Sequence, residues 1–141
     1  MKTPYDAALR VRQRELDEIG MAIRTEALAL DELENAGRRA KAMLLNEERL
    51  AATELALSSP GWLAHMRRQG QQLGVRRAET HARIDRLRAC AADALGTARG
   101  IQMAADHYRG EAARAEAAAE QAASDDLGAV AFLKARRDSG R

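Results

Sequence analysis

Few side chains in this chain of 141 residues have the type and spacing that metal binding requires. The three histidines, His65, His81 and His107, are far apart, and none lies three or four residues from another histidine or from Cys90. Zinc sites usually draw on closely spaced His and Cys ligands. Because Cys90 is the single cysteine, we expect neither a metal site nor a disulfide framework.

No other motif supplies a catalytic centre. Asp125 and Asp126 lie near Glu120, but they suit the cap of a short final helix better than an acid/base pair. The segment 70–74 lacks the Lys-Ser/Thr of a phosphate-binding loop. The serines at 58–59 have no base nearby in sequence. We therefore predict a protein without enzymatic activity, without catalytic residues and without a cofactor.

The composition is typical of long helices. Strong helix formers such as Ala, Leu, Glu, Arg and Gln pervade the chain, whereas aromatic residues make up only 3% of it. No apolar run reaches the roughly 20 residues that span a bilayer. Residues 1–6 contain no apolar stretch, so we expect no signal peptide, no membrane insertion and a cytoplasmic protein.

Turn-forming residues divide the chain near its middle. Thr3 and Pro4 are suited to a helix start, and residues 58–61 (SSPG) form the strongest interior break. We predict helices over about 4–57 and 62–123, joined by a turn at about 58–61, with a short helix and tail over 124–141. Glycines at 70 and 74 predict a looser tip as far as Gly74.

A seven-residue hydrophobic repeat runs through both predicted helices. Leu9, Leu16, Ile23 and Leu30 carry it in the first. In the second, steps of three and four alternate through Ile84, Leu87, Ala91, Ala94, Ala98, Ile101, Ala105, Tyr108, Ala112, Ala115, Ala119 and Ala122. Such heptads are typical of left-handed coiled coils. We predict an all-α chain, a single domain of two long helices in an antiparallel coiled-coil hairpin, with Met1 opposite about Ala119.

Polar residues and one glycine interrupt the repeat in the first helix. Arg12, Glu26 and Gly37 occupy positions that would normally be apolar. They could set the register of the two helices, as single polar residues do in coiled coils. Alternatively, they could open one face of the pair to a third helix.

Charges on the two helices are complementary. Residues 67–88 contain seven arginines but only two acidic residues, and the first-helix stretch that they would face is rich in Asp and Glu. Pairing across the seam explains this block. The alternative is a face that follows nucleic-acid phosphates, but 23 basic and 21 acidic groups are interleaved along the chain. We therefore expect no nucleic-acid partner.

Three apolar residues, Trp62, Leu63 and Met66, follow directly after the predicted turn. A hairpin tip offers little core, so Trp62 either closes the end of the coil or forms an exposed anchor for a partner. Exposed aromatic anchors are typical of interface hot spots. We take these three residues as candidates for partner binding.

Two segments resemble the FliJ family, the small stalk protein of the type III (flagellar) export ATPase. One is the opening YDAALRVRQREL of residues 5–16, and the other is EAAAEQAASDD of residues 116–126, which has Asp126 where the family usually has Glu. The length and the order of helices are also similar to the family over nearly the whole chain. The resemblance implies a non-catalytic adaptor that binds and stimulates the hexameric export ATPase.

The same resemblance implies further partners and a location. The family also contacts the membrane export gate and escorts export chaperones, so it implies a position at the cytoplasmic face of the membrane. For this chain, the resemblance implies that the basic end with both termini faces the ATPase ring. The hairpin tip is then the far end. The ring-facing candidates are Arg10, Arg12, Arg14, Lys134, Arg136 and Arg137, and the far-end candidates are Trp62, Leu63 and Met66.

Three hypotheses remain open from the sequence. An export adaptor is expected to be a monomeric rod with unequal ends. A structural coiled-coil scaffold would self-associate along its flanks. A nucleic-acid-associated hairpin would bind in a salt-sensitive way through the arginine block.

Overall fold

The computed structural model describes residues 1–53 and 60–140, which form two long α-helices. Helix α1 spans Asp6–Thr53 (48 residues), and helix α2 spans Pro60–Ser139 (80 residues). The described residues contain no strand, so the all-α prediction is confirmed. The predicted end of the first helix and residues 58–59 of the predicted turn lie outside the described residues, whereas residues 60–61 belong to α2.

Helix α1 begins with a reciprocal cap between Thr3 and Asp6. The Asp6 amide donates a hydrogen bond to the Thr3 carbonyl (3.2 Å). The Asp6 carboxylate accepts bonds from the Thr3 amide (2.9 Å) and from the Thr3 hydroxyl (2.7 Å). This arrangement satisfies polar groups that a helix start leaves open. Thr3 therefore caps the helix as predicted, although the helix itself starts at Asp6 rather than near Pro4.

The chain divides into two compact units. Unit 1 comprises Met1–Arg12 and Thr97–Arg141, and unit 2 comprises Gln13–Gly96. Each unit contains a stretch of both helices, and each is described separately below.

In unit 2 the two helices are antiparallel. Arg67 of α2 pairs with Glu48 of α1 at 3.5 Å, whereas Arg83, further along α2, pairs with the earlier Glu26 at 3.2 Å. Residue numbers thus rise along α2 as they fall along α1. These pairs are the complementary charges that the arginine block predicts, which confirms the hairpin direction within this unit.

The core of unit 2 is a narrow seam. Met66, Ile84 and Ala94 are buried, and Leu87 and Ala91 between them are half-buried. On α1 the half-buried residues include the predicted positions Leu16, Ile23 and Leu30, together with Ile19 and Leu33. The predicted heptad positions therefore face the partner helix. A single opposing helix covers each of them, and for that reason few are fully buried.

A polar cluster interrupts this seam. Thr80 is 1% exposed, and its hydroxyl donates to the Arg76 carbonyl at 2.9 Å. The Arg83 guanidinium donates to the Thr80 hydroxyl (3.0 Å) and to the Glu26 carboxylate (3.2 Å). The polar residue at seam position 26 thus meets a matched cation on α2. A contact of this kind between the two helices is what the register hypothesis for Glu26 predicts.

In unit 1 the start of α1 packs at the level of Tyr108 and Arg109. The rings of Tyr5 and Tyr108 lie edge to face with centroids 6.4 Å apart, and Arg109 reaches Asp6 at 3.5 Å. Ala105 is fully buried there. Residues 5 and 6 therefore lie near the level of residues 108 and 109.

Helix α2 also lacks the interruptions that the sequence predicted. It continues through Gly70 and Gly74, so residues 60–74 are helical, and it continues through residues 124–126 without a new cap. The Gln121 side chain donates to the Asp125 carboxylate at 2.9 Å, one turn along the same helix. Asp125 therefore serves as an exposed helix-surface residue, and the alanines around it favour helix.

We expect Ile84→Ala to lower the free energy of unfolding by about 2–3 kcal/mol, because it removes a buried side chain from the seam. Leu127→Ala is the matched control. Leu127 is 72% exposed on the same helix, and its truncation should change stability by less than about 0.5 kcal/mol. Urea unfolding followed by circular dichroism measures both. Equal losses of unfolding free energy in the two variants would contradict the assignment of Ile84 to the core.

The cap gives a pH prediction. The bonds from Thr3, with help from Arg109 and Arg10, hold the pKa of Asp6 below its ordinary value of 3.8. A carboxylate with a lowered folded pKa stabilises the fold above its unfolded pKa and loses that effect as the pH falls through the folded pKa. Asp6→Asn should therefore melt at a lower temperature than the parent at pH 7, and the difference should narrow below pH 3.8. A difference independent of pH would contradict this role.

Candidate partner-binding surfaces

Three glycines in unit 2 create a groove beside the seam. Gly37 lies on α1, and Gly70 and Gly74 lie one turn apart on α2. The cavity measures about 820 Å³ and is open to solvent, and we call it the glycine groove. It is lined by Leu33, Glu34, Gly37, Arg38, Ala40, Lys41, Leu44, Met66, Arg67, Gly70, Gln71, Leu73, Gly74 and Arg77.

The groove exists because these glycines leave space uncovered. A Cβ atom placed on any of the three would meet no atom within 4 Å beyond its own helix backbone and chain neighbours. Leu33, Leu44 and Leu73 form an apolar floor and are only half-buried. A helix glycine costs stability relative to alanine. Here three of them expose apolar surface at which another backbone could approach closely.

The walls of the groove are basic. Arg38 and Lys41 on α1 and Arg67 and Arg77 on α2 line it, against a single acidic residue, Glu34. Arg67 is paired with Glu48 at 3.5 Å. Within the described part of the chain, Lys41 and Arg77 form no ion pair. The groove thus combines an apolar floor with free positive charge.

The second surface is the C-terminal part of α2, residues 113–139, which we call the C-terminal segment. Every residue of it is exposed, because α1 does not extend alongside it in unit 1. Its apolar side chains are Leu127 (72% exposed), Val130 (62%), Phe132 (66%) and Leu133 (62%). The predicted seam positions Ala115, Ala119 and Ala122 therefore lack a partner helix.

The apolar face that packs on α1 continues into this segment. Ala105 is buried, and Ala112, Ala119, Leu127 and Val130 follow it on the same side of α2, linked by steps of three or four residues through positions 108, 115 and 123. Such spacing keeps residues on one side of a helix. This face is thus covered by α1 beside Ala105 and exposed beyond Ala112.

The basic candidates do not form one cluster. Arg10, Arg12, Lys134, Arg136 and Arg137 all belong to unit 1, where Arg12 is half-buried and the others are exposed. Arg10 lies near the level of residue 105, so at 1.5 Å per residue Lys134 is about 43 Å further along α2. Arg14 belongs to unit 2. The C-terminal basic residues are thus a separate surface from the N-terminal ones.

The tip candidates are more covered than an exposed anchor would be. Met66 is 8% exposed and belongs to the core of unit 2, so it is not an exposed anchor at the tip, although it also lines the glycine groove. Leu63 and Trp62 are half-buried.

The sequence predicts a looser tip from Gly70 and Gly74, and it offers Gly37 only as one of several residues that could open a face to a third helix. The spacing of four between Gly70 and Gly74 is the signal for a common face on α2, but nothing in the sequence places Gly37 beside them.

Other kinds of site have little support in the described residues. No group of three or more His, Cys, Asp or Glu side chains is placed to hold a metal ion within residues 1–53 and 60–140. None of the helices there has a stretch long and apolar enough for a membrane crossing. Cys90 is exposed on α2.

We expect Gly37→Ala, Gly70→Ala and Gly74→Ala each to raise the free energy of unfolding by about 0.5–1 kcal/mol, because alanine favours helix and the new methyl group enters open space. Gly96→Ala, at an open position outside the groove, should give a similar gain. Thermal unfolding measures all four. A loss confined to the groove glycines would show that the two helices approach more closely there.

Comparison with known proteins identifies no relative of this chain. No protein-family model matches the chain, and neither a curated protein nor a solved structure matches it significantly.

Proposed function

We propose that the chain is a non-catalytic adaptor that binds protein partners by helix packing. The observation that carries this proposal is the C-terminal segment, which is helical but has no helix beside it. Four large apolar side chains on it are at least 62% exposed. Exposed apolar helix faces of this size are typical of surfaces that another protein covers.

We propose further that the partner is a hexameric ATPase of type III protein export, which the chain binds and stimulates. The sequence resemblance to the FliJ family supports this identification, as does the basic end of α2. Lys134, Arg136 and Arg137 are exposed there, and a basic helix end is complementary to an acidic ring lumen. The export gate and export chaperones are further partners under this proposal, which places the protein at the cytoplasmic face of the membrane.

A structural scaffold that assembles from copies of this chain is the second candidate. The glycine groove favours it, because a groove with an apolar floor and basic walls can receive a helix of suitable charge. The adaptor and scaffold functions differ in the partner that the chain requires. An adaptor requires the ATPase as its partner, whereas a scaffold requires only copies of this chain.

The test is binding to a purified export ATPase of the same organism, with ATP hydrolysis as the second readout. We expect the unaltered chain to bind the ring and raise the hydrolysis rate. The triple variant Lys134→Glu, Arg136→Glu and Arg137→Glu should bind at least about tenfold more weakly, because charge reversal at an interface replaces attraction with repulsion.

The control reverses three arginines away from the C-terminal segment: Arg86→Glu, Arg88→Glu and Arg99→Glu. These residues are also exposed on α2, so the variant has the same net charge as the test variant. It should bind the ATPase normally. Failure of the unaltered chain to bind the ring would contradict the export function. Assembly of the chain alone would then favour the scaffold.

A further inference from the structure

The glycine groove sets strict requirements on any helix that enters it. Gly37, Gly70 and Gly74 allow close backbone approach only if the incoming side chains are small. The free charges of Lys41 and Arg77 require acidic groups along the edges of that helix. The occupant is therefore an alanine-rich helix with acidic flanks.

Residues 111–126 of this same chain meet those requirements. Ala112, Ala115, Ala119, Ala122 and Ala123 follow one face of α2, and α1 covers none of them beyond Ala112. The segment contains five acidic residues and one basic residue, which are Glu111, Glu116, Glu120, Asp125, Asp126 and Arg114. Glu116 and Glu120 are exposed, lie one turn apart beside the alanines, and form no ion pair within the described residues.

The lengths of the two surfaces also agree. The groove extends over residues 33–44 of α1 and 66–77 of α2, which is about 17 Å at 1.5 Å per residue. The alanine face from Ala112 to Ala123 has the same length. A basic groove and an acidic helix face of matching length thus occur on one chain. Among the described residues, Arg67 of the groove pairs with Glu48, and Glu111 of the helix pairs with Arg114, whereas Lys41, Arg77, Glu116 and Glu120 form no ion pair.

We propose that the glycine groove binds residues 111–126 of a second copy of this chain. Alanine methyl groups would pack against Leu33, Leu44 and Leu73, while Glu116 and Glu120 would pair with the basic walls. This self-association goes beyond the proposed adaptor function. It uses the part of the C-terminal segment that precedes the large apolar residues from Leu127 onward. The docked segment ends before Lys134, Arg136 and Arg137, so the two proposals can fail separately.

The proposal predicts a weak, salt-sensitive association. A single short helix buries a small area, which is typical of transient interfaces, and its ion pairs are screened by salt. We expect sedimentation velocity to show a monomer at low concentration and larger species at high concentration in low salt. Addition of 0.5 M salt, for which the Debye length falls to roughly 4 Å, should restore the monomer.

A charge exchange tests the contact directly. Lys41→Glu with Arg77→Glu should weaken self-association at least about tenfold, because an acidic groove then faces an acidic helix. Glu116→Lys with Glu120→Lys should do the same, because both surfaces are then basic. Mixing the two variants should restore association, since each groove again meets a helix of opposite charge. None of these four side chains forms an ion pair within the described part of the chain.

Two further variants separate the groove from net charge. Gly70→Leu should abolish association by filling the groove, whereas Gly96→Leu, an exposed glycine of the same helix outside it, should associate normally. Arg86→Glu with Arg88→Glu matches the charge change of the groove variant and should also associate normally. A monomer at all concentrations in low salt overturns the proposal. So does association that the groove variants leave unchanged, or a mixture that stays monomeric.

Discussion

The structure depends on one constraint, which is that each residue of a two-helix protein has only one helix that can cover it. A four-helix bundle surrounds its core, whereas here the seam is a single line of contact. Burial along α2 therefore stops at the level where α1 begins. In unit 1 this occurs near Ala112, and from residue 113 onwards α2 is exposed.

The same constraint explains why polar contacts matter so much in this seam. Alanine buries little area, and hydrophobic free energy is roughly proportional to area. Apolar contacts between alanines therefore discriminate poorly between registers that differ by one turn. The Arg83–Glu26 and Asp6–Arg109 pairs join specific positions of α1 and α2. Each ion pair contributes little stability at an exposed position, but a shift of register would separate Glu26 from Arg83 and Asp6 from Arg109.

Sequence reasoning succeeded where a pattern has a local physical meaning. The heptads identified the helices and the buried positions Ile84, Ala94 and Ala105, and the charge blocks identified the antiparallel direction in unit 2. Thr3 was identified as the cap because its chemistry involves only the first turn. The fold class could be predicted because both periodicity and composition favour helix.

Sequence reasoning failed where the outcome depends on what lies opposite. Ala105 and Ala119 occupy equivalent heptad positions, yet one is buried and the other exposed, because only the first faces α1. Met66 looked like a surface anchor but lies in the core. Residues 124–126 looked like a break, although an isolated helix tolerates Ser and Asp at exposed positions between strong helix formers.

The glycine groove also depends on what lies opposite each residue, which the sequence does not show. In sequence, Gly70 and Gly74 predict a weak stretch of helix, and Gly37 is a separate interruption of the heptads that could open a face to a third helix. Only the packing of α1 on α2 brings them together as one surface with an apolar floor and basic walls. Alanine at any of the three positions should stabilise its helix, but its methyl group would also occupy part of the groove. At three neighbouring positions the absent side chains leave room for a backbone, which is why we propose the groove as a binding surface.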